Sequence, residues 1–190
     1  MNFQDLSIAP SLLHAIAQKG FITLTEVQEQ TIPVLMHQCD VLACAPTGTG
    51  KTYAYVLPML HDLLTLPASR GVKALVLVPT RELAVQVSRE IRTLIAKSGL
   101  QIATIIGGDS FDEQLYLLEK GVDILVATPG RLHHLQSRRL VDLRRVKWLV
   151  LDEGDRMLDM GFVGVIRKIC YDLPRKRRTA FFSATLLADT

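Results

Sequence analysis

Cysteine is scarce, surplus charge is small, and no long apolar run occurs anywhere in the chain. The cysteines, Cys39, Cys44 and Cys170, are three in number and form no C-x-x-C pair, which argues against a disulfide framework or a metal site. They read as buried reduced thiols. No apolar stretch approaches the ~18–20 residues that cross a bilayer, and Met1-Asn2-Phe3-Gln4-Asp5 lacks the basic start and long apolar core of a secretory leader. Together these absences predict a cytoplasmic protein with no membrane partner. A net charge of +3 is too small to imply a polyanion partner. Its distribution is more informative, because Lys and Arg gather in one group from Arg131 to Lys147 and another from Arg167 to Arg178. Such groups suit phosphate oxygens, although the second reads first as a solvated basic face. Internal repeats, linkers and low-complexity tracts are also missing, so 190 residues at 48% hydrophobic predict one α/β domain.

What is present is alternation. Short runs rich in Val, Ile and Leu at Val41–Ala45, Ala74–Val78, Ile102–Ile106, Ile124–Ala127, Trp148–Leu151 and Ala180–Phe182 read as buried parallel strands. Segments with helical spacing separate them at Tyr53–Thr65, Arg81–Lys97, Phe111–Lys120 and Gly161–Tyr171, and Pro10–Lys19 and Thr25–His37 predict two helices before the first strand. The pattern predicts a doubly wound, mainly parallel sheet with helices on both faces, a helical region over 1–38 and a sheet core over 39–190. In such sheets ligands sit beyond the carboxyl ends of the strands.

Each strand end carries chemistry. After the first come Ala45-Pro46-Thr47-Gly48-Thr49-Gly50-Lys51-Thr52, whose glycines let backbone amides wrap a polyphosphate at the start of a helix. Lys51 would reach the outer phosphates and the Thr52 hydroxyl would bind Mg²⁺. Ala45 stands where that loop usually has its first glycine. Asp152 ends an apolar strand, as a second Mg²⁺ carboxylate would, and Glu153 beside it can polarise a water. Asp155 can either contact the hydroxyls of Ser183 and Thr185 or cap the segment starting at Arg156. Thr80-Arg81, Gly107-Gly108 and Thr128-Pro129-Gly130-Arg131 combine hydroxyl, guanidinium and open backbone suited to nucleic-acid phosphates. By itself Gln28 is only a polar surface residue on a helix.

In this order the motifs resemble the DEAD-box family of ATP-dependent RNA helicases, in the first of its two RecA-like domains. The residues concerned are Phe3, Gly20-Phe21 with Thr25 and Gln28, the loop at 45–52, P-T-R-E-L-A at 79–84, G-G at 107–108 with Gln114, T-P-G-R at 128–131, D-E-G-D at 152–155 and S-A-T at 183–185. The family itself carries Ala at the start of the loop. The resemblance implies that Gln28 reads the adenine edge while Phe21 packs on its ring. It also implies that Thr52 and Asp152 hold Mg²⁺, that Glu153 activates water, and that Asp155, Ser183 and Thr185 couple hydrolysis to domain closure. Arg81, Gly108, Thr128, Gly130 and Arg131 would contact the RNA backbone, with little base identity read. Two departures stand out: Gly154 replaces the family's Ala, and the chain ends at Thr190, before the second RecA-like domain and its arginine fingers. Alternatives are a DNA-acting ATPase and a catalytically weak RNA clamp.

Overall fold

The six apolar runs pair side by side, and the most apolar of them, Ala74–Leu77, Ile124–Ala127 and Trp148–Leu151, lie inside the sheet with both faces buried. The computed structural model describes residues 1–67 and 69–185. The strands are β1 (Val41–Cys44), β2 (Ala74–Leu77), β3 (Ile102–Ile105), β4 (Ile124–Ala127), β5 (Trp148–Leu151) and β6 (Arg178–Ser183). They form one sheet in the order β1-β6-β5-β2-β4-β3, and every ladder in it is parallel. The chain lays β1 at one edge, β2 inside and β3 at the other edge. It then inserts β4 between β2 and β3, and β5 and β6 fill the gap back to β1.

Eight helices connect or flank these strands among the described residues: α1 (Pro10–Gln18), α2 (Glu26–Met36), α3 (Lys51–Thr65), α4 (Arg81–Ile95), α5 (Phe111–Lys120), α6 (Pro129–Ser137), α7 (Gly154–Asp159) and α8 (Val163–Tyr171). Alternation along β2 divides the core in two. Ala74 and Val76 face a layer formed by α1 to α4, whereas Leu75 and Leu77 face a layer that includes α6, α7 and α8. Among the described residues no helix is long and apolar enough to cross a membrane.

The thiols depart from expectation. Cys39 and Cys44 are exposed and Cys170 is half-buried. The reason is that β1 is an edge strand whose outward residues, Leu42 and Cys44, lack the helix cover that interior strands have. The sheet boundaries shift slightly: β6 begins two residues early, because Arg178 and Thr179 continue the ladder opposite Trp148 and Leu149.

Candidate functional site

Because all strands run the same way, their carboxyl ends line one edge, and the sheet order sorts the motifs in space. The phosphate-loop sequence (β1), Ser183-Ala184-Thr185 (β6) and Asp152-Glu153 (β5) are neighbours; Thr80-Arg81 (β2), Thr128 to Arg131 (β4) and Gly107-Gly108 (β3) continue the edge.

The loop after β1 is anchored where Ala45 N donates to Ser183 O at 2.9 Å. Gly48 and Gly50 adopt φ of +83° and +86°, a left-handed backbone that favours glycine. Gly50 has a second reason to lack a side chain, since a Cβ there would lie 2.5 Å from Gln28 Nε2. Gln28 is 4% exposed, so it is no surface residue. Its amide accepts from Thr25 N at 3.0 Å and donates to Gly50 O at 2.9 Å, tying α2 to the loop. A primary amide has donor and acceptor capacity beyond two bonds. Phe21 stands at the rim, edge-on to Tyr53 at 5.1 Å and stacked with Phe3 at 6.3 Å. The N-terminus of α3 has no side-chain cap, which leaves its first amides facing the loop. Lys51 is buried and donates Nζ to Ala45 O at 2.8 Å, and Thr49 Oγ1 donates to Pro46 O at 2.7 Å.

Across the loop, Asp152 is 3% exposed. Its carboxylate accepts from Tyr55 Oη and from Glu153 N, both at 2.9 Å. Burial pushes the carboxyl up from its ordinary value, and the Tyr55 bond and the nearby Lys51 charge only partly oppose it. Burial likewise raises Tyr55, with Asp152 adding to the effect. Glu153 has φ +53°, a left-handed conformation rare for a non-glycine residue, and it starts α7. A cleft of about 310 Å³ lies between these groups, lined by Thr47, Gly48, Lys51, Thr52, Asp152 and Glu153, with Gln86 and Glu90 from α4. A buried carboxylate beside a hydroxyl is a donor set that suits a divalent cation with oxygen ligands. The residues therefore fit Mg²⁺.

Asp155 joins the neighbouring strand end. Its Oδ2 accepts from Ala184 N (3.1 Å), Thr185 N (3.0 Å) and Thr185 Oγ1 (3.1 Å), while Asp155 N donates to Ser183 Oγ at 3.3 Å. The contact with the Ser183 and Thr185 segment forms; Asp155 Oδ1 also accepts from Arg156 N at 3.0 Å, although the residue that caps α7 is Glu153. Burial raises this carboxyl, but its hydrogen bonds to Arg156, Thr185 and Ala184 outweigh that and leave it lowered.

At the far half of the edge, Thr80 caps α4 by accepting from Leu83 N at 3.2 Å. The Arg81 guanidinium lies directly against Gly107 and Gly108; a Cβ on Gly108 would meet it at 2.0 Å. Gln114 is buried, donates to Ile106 O at 2.8 Å and accepts from Arg131 Nε at 3.1 Å. Arg131 also donates to Asp109 O at 3.0 Å and sits over the Phe111 ring. This stitches the β3–α5 and β4–α6 connections together. Thr128 and Pro129 open α6, and nothing lies within 4 Å of where a Cβ on Gly130 would stand, so that backbone faces open space.

Sequence reasoning missed Tyr55, Gln86 and Glu90. Tyr55 had a usable signal, for a tyrosine hydroxyl in an apolar helix must find a polar partner. Glu90, which accepts from Lys19 Nζ at 2.7 Å and from the Tyr53 hydroxyl, gave none beyond its place on an amphipathic helix.

A family model of the DEAD/DEAH box helicases matches residues 25–190. The chain belongs to that family. Among similar proteins, the ATP-dependent RNA helicase dbp10 of Aspergillus fumigatus is 42% identical over 185 residues, covering 97% of this helicase chain and 21% of that protein. The ATP-dependent RNA helicase DBP10 of Pyricularia oryzae is 40% identical over 97% of the chain and 20% of its own length. The crystal structure of a DEAD box protein from the hyperthermophile Methanococcus jannaschii superposes with a TM-score of 0.93 at 37% identity, covering 100% of this chain and 51% of that one. The helicase chain thus spans about a fifth of these curated relatives and half of the solved one, and its sheet is that of a DEAD-box RecA-like domain.

Proposed function

We propose that residues 1–190 form the ATP-binding RecA-like domain of an ATP-dependent RNA helicase, which works against a second RecA-like domain in the full-length protein. The observation that carries this reading is the meeting of Lys51, Thr52, Asp152 and Glu153 around one cleft, on the same edge as Arg81, Gly108, Gly130 and Arg131.

Within that reading, Phe21, Thr25 and Gln28 hold the adenine, and the backbone from Ala45 to Thr52 cradles the phosphates. Lys51 leaves Ala45 O for the outer phosphates. Thr52 and Asp152 hold Mg²⁺, which when bound neutralises charge on the phosphate oxygens. Glu153 orients the attacking water and takes its proton. Asp155, Ser183 and Thr185 pass the state of the acid pair to β6 and the neighbouring body. Thr80, Arg81, Gly107, Gly108 and Thr128 to Arg131 meet the RNA backbone. No observation favours a DNA-acting ATPase or an inert clamp, and a cytoplasmic setting is part of the same reading.

The test is phosphate release by the full-length protein with and without RNA. RNA-stimulated release that disappears in Glu153→Gln, with nucleotide still bound, is the expected result. Release retained in that variant, or ADP and GDP bound equally well with no change in Gln28→Ala, would remove the corresponding assignments.

A further inference from the structure

We propose a second RNA-binding surface at the amino ends of β5 and β6, opposite the nucleotide loop, that takes the phosphates of a single strand without nucleotide. Residues 138–147 and 172–178 carry nine Lys or Arg against two Asp; the remainder of the chain carries 13 against 17. The positive surplus of the molecule therefore resides in these two segments. The fold brings them together, since β5 and β6 pair from Trp148 and Arg178 onward.

They enclose a cleft of about 570 Å³, walled by Asp62, Lys147, Trp148, Lys176, Arg177 and Arg178. Arg178 is held rigidly there, with its guanidinium 4.3 Å above the Trp148 ring and NH1 on Asp62. The Nε donors of both Arg177 and Arg178 are buried without a hydrogen-bond partner among the described residues. Lys147, Arg175 and Lys176 are exposed, and among the described residues none of the three side chains forms an ion pair.

A residue four positions before Arg175 in the chain favours a nucleic acid over an acidic polypeptide. Tyr171, at the end of α8, is 89% exposed, and Arg167 and Lys168 precede it by one turn. An exposed aromatic among cations is a platform on which a base stacks; a carboxylate chain has no use for it. The surface is separate from the edge described above, because strands of four to six residues at ~3.3 Å each put ~13–20 Å between the two ends.

The probe is fluorescein-labelled oligouridine, bound to the full-length protein without nucleotide across a range of salt. In the triple variant Lys147→Gln, Arg175→Gln, Lys176→Gln, binding is expected to weaken about tenfold, with a salt slope shallower by about 2, the loss of three single-strand phosphate contacts. ADP affinity stays unchanged. Tyr171→Ala should weaken binding about fivefold and leave the slope alone. Oligouridine containing 4-thiouridine, irradiated without nucleotide, should attach within residues 171–178. Unchanged affinity and slope in the triple variant, or no attachment in that segment, would overturn the proposal. So would polyglutamate binding that the triple variant loses while RNA binding persists. The extra RNA affinity produced by a non-hydrolysable ATP analogue reports the opposite edge and is expected to survive in the triple variant, so the two assignments fail separately.

Discussion

The resemblance sets Gly154 where the family has Ala, and a neighbour here suits a residue with no Cβ. A Cβ at this position would lie 2.0 Å from Phe181 Cζ and within 2.7 Å of two more ring carbons. The aromatic ring on β6 has taken the space of a methyl group on α7. Gly154→Ala is accordingly expected to lower unfolding free energy by about 1–3 kcal/mol, as overpacking does. Adding Phe181→Leu should restore most of it. A chemical denaturation series on the two single variants and the double variant measures this directly, and additive effects would refute the pairing.

Asp152 shows how the site works against stability. Its folded carboxyl is raised by burial above the ordinary 3.8, so the folded state holds a proton that the unfolded chain gives up. Stability contributed by this group is present at low pH and is lost as pH rises from that ordinary value to the raised one, by about 1.4 kcal/mol per pH unit across that window. Asp152→Asn should therefore melt higher than the parent at neutral pH, and the gap should close on acidification. The same variant should lose Mg²⁺-dependent nucleotide binding. Melting curves taken across pH test the first claim, and a gap that is independent of pH would contradict it.

At the scale of elements, most strands and helices were legible because their apolar periods are strong. α5 spans Phe111–Lys120 as its spacing indicates. The failures have local causes. α6 and α7 were hidden because they open with Pro129-Gly130 and Gly154, residues that read as turns, and because α7 has only six residues. The first residues of β6 were concealed inside a basic run, and only the ladder to Trp148 and Leu149 makes them strand. Gln28 was legible as a family residue, yet its bond to Gly50 O was not, since no spacing rule links a helix to a loop 22 residues away. That bond yields a prediction about the junction of α2 with the loop. Gln28→Ala should lower stability by about 1–2 kcal/mol with no ligand added, in addition to weakening ADP binding. A variant that binds ADP more weakly at full stability would show that the tie contributes nothing to the loop.

For the whole molecule, motif content could be read from the chain but motif order across the sheet could not. Sequence order runs from the phosphate loop through the Arg81, Gly108 and Thr128 segments to the acid pair, whereas spatial order places the acid pair beside the loop. The insertion of β5 and β6 between β1 and β2 does this, and such a choice rests on which edges remain free as the sheet grows. The result is one plate whose motif-bearing edge divides into two halves. If a second RecA-like body supplies the arginines that stabilise the transition state, this chain alone should hydrolyse ATP ~10³–10⁵ more slowly than the full-length protein. Single-turnover phosphate release compares the two, and equal rates would place the whole catalytic apparatus here.

The seam between the halves is the ladder of β5 with β2, and Asp152 N continues it by donating to Leu77 O at 3.0 Å. Parallel strands locked in register do not slide, so the plate behaves as a ruler. With strands ~4.8 Å apart, the ends of β2, β4 and β3 span ~10 Å, the rise of about three stacked nucleotides at ~3.4 Å each. If this half meets RNA as proposed, the width of three strands would set the length of strand that it can hold at one time.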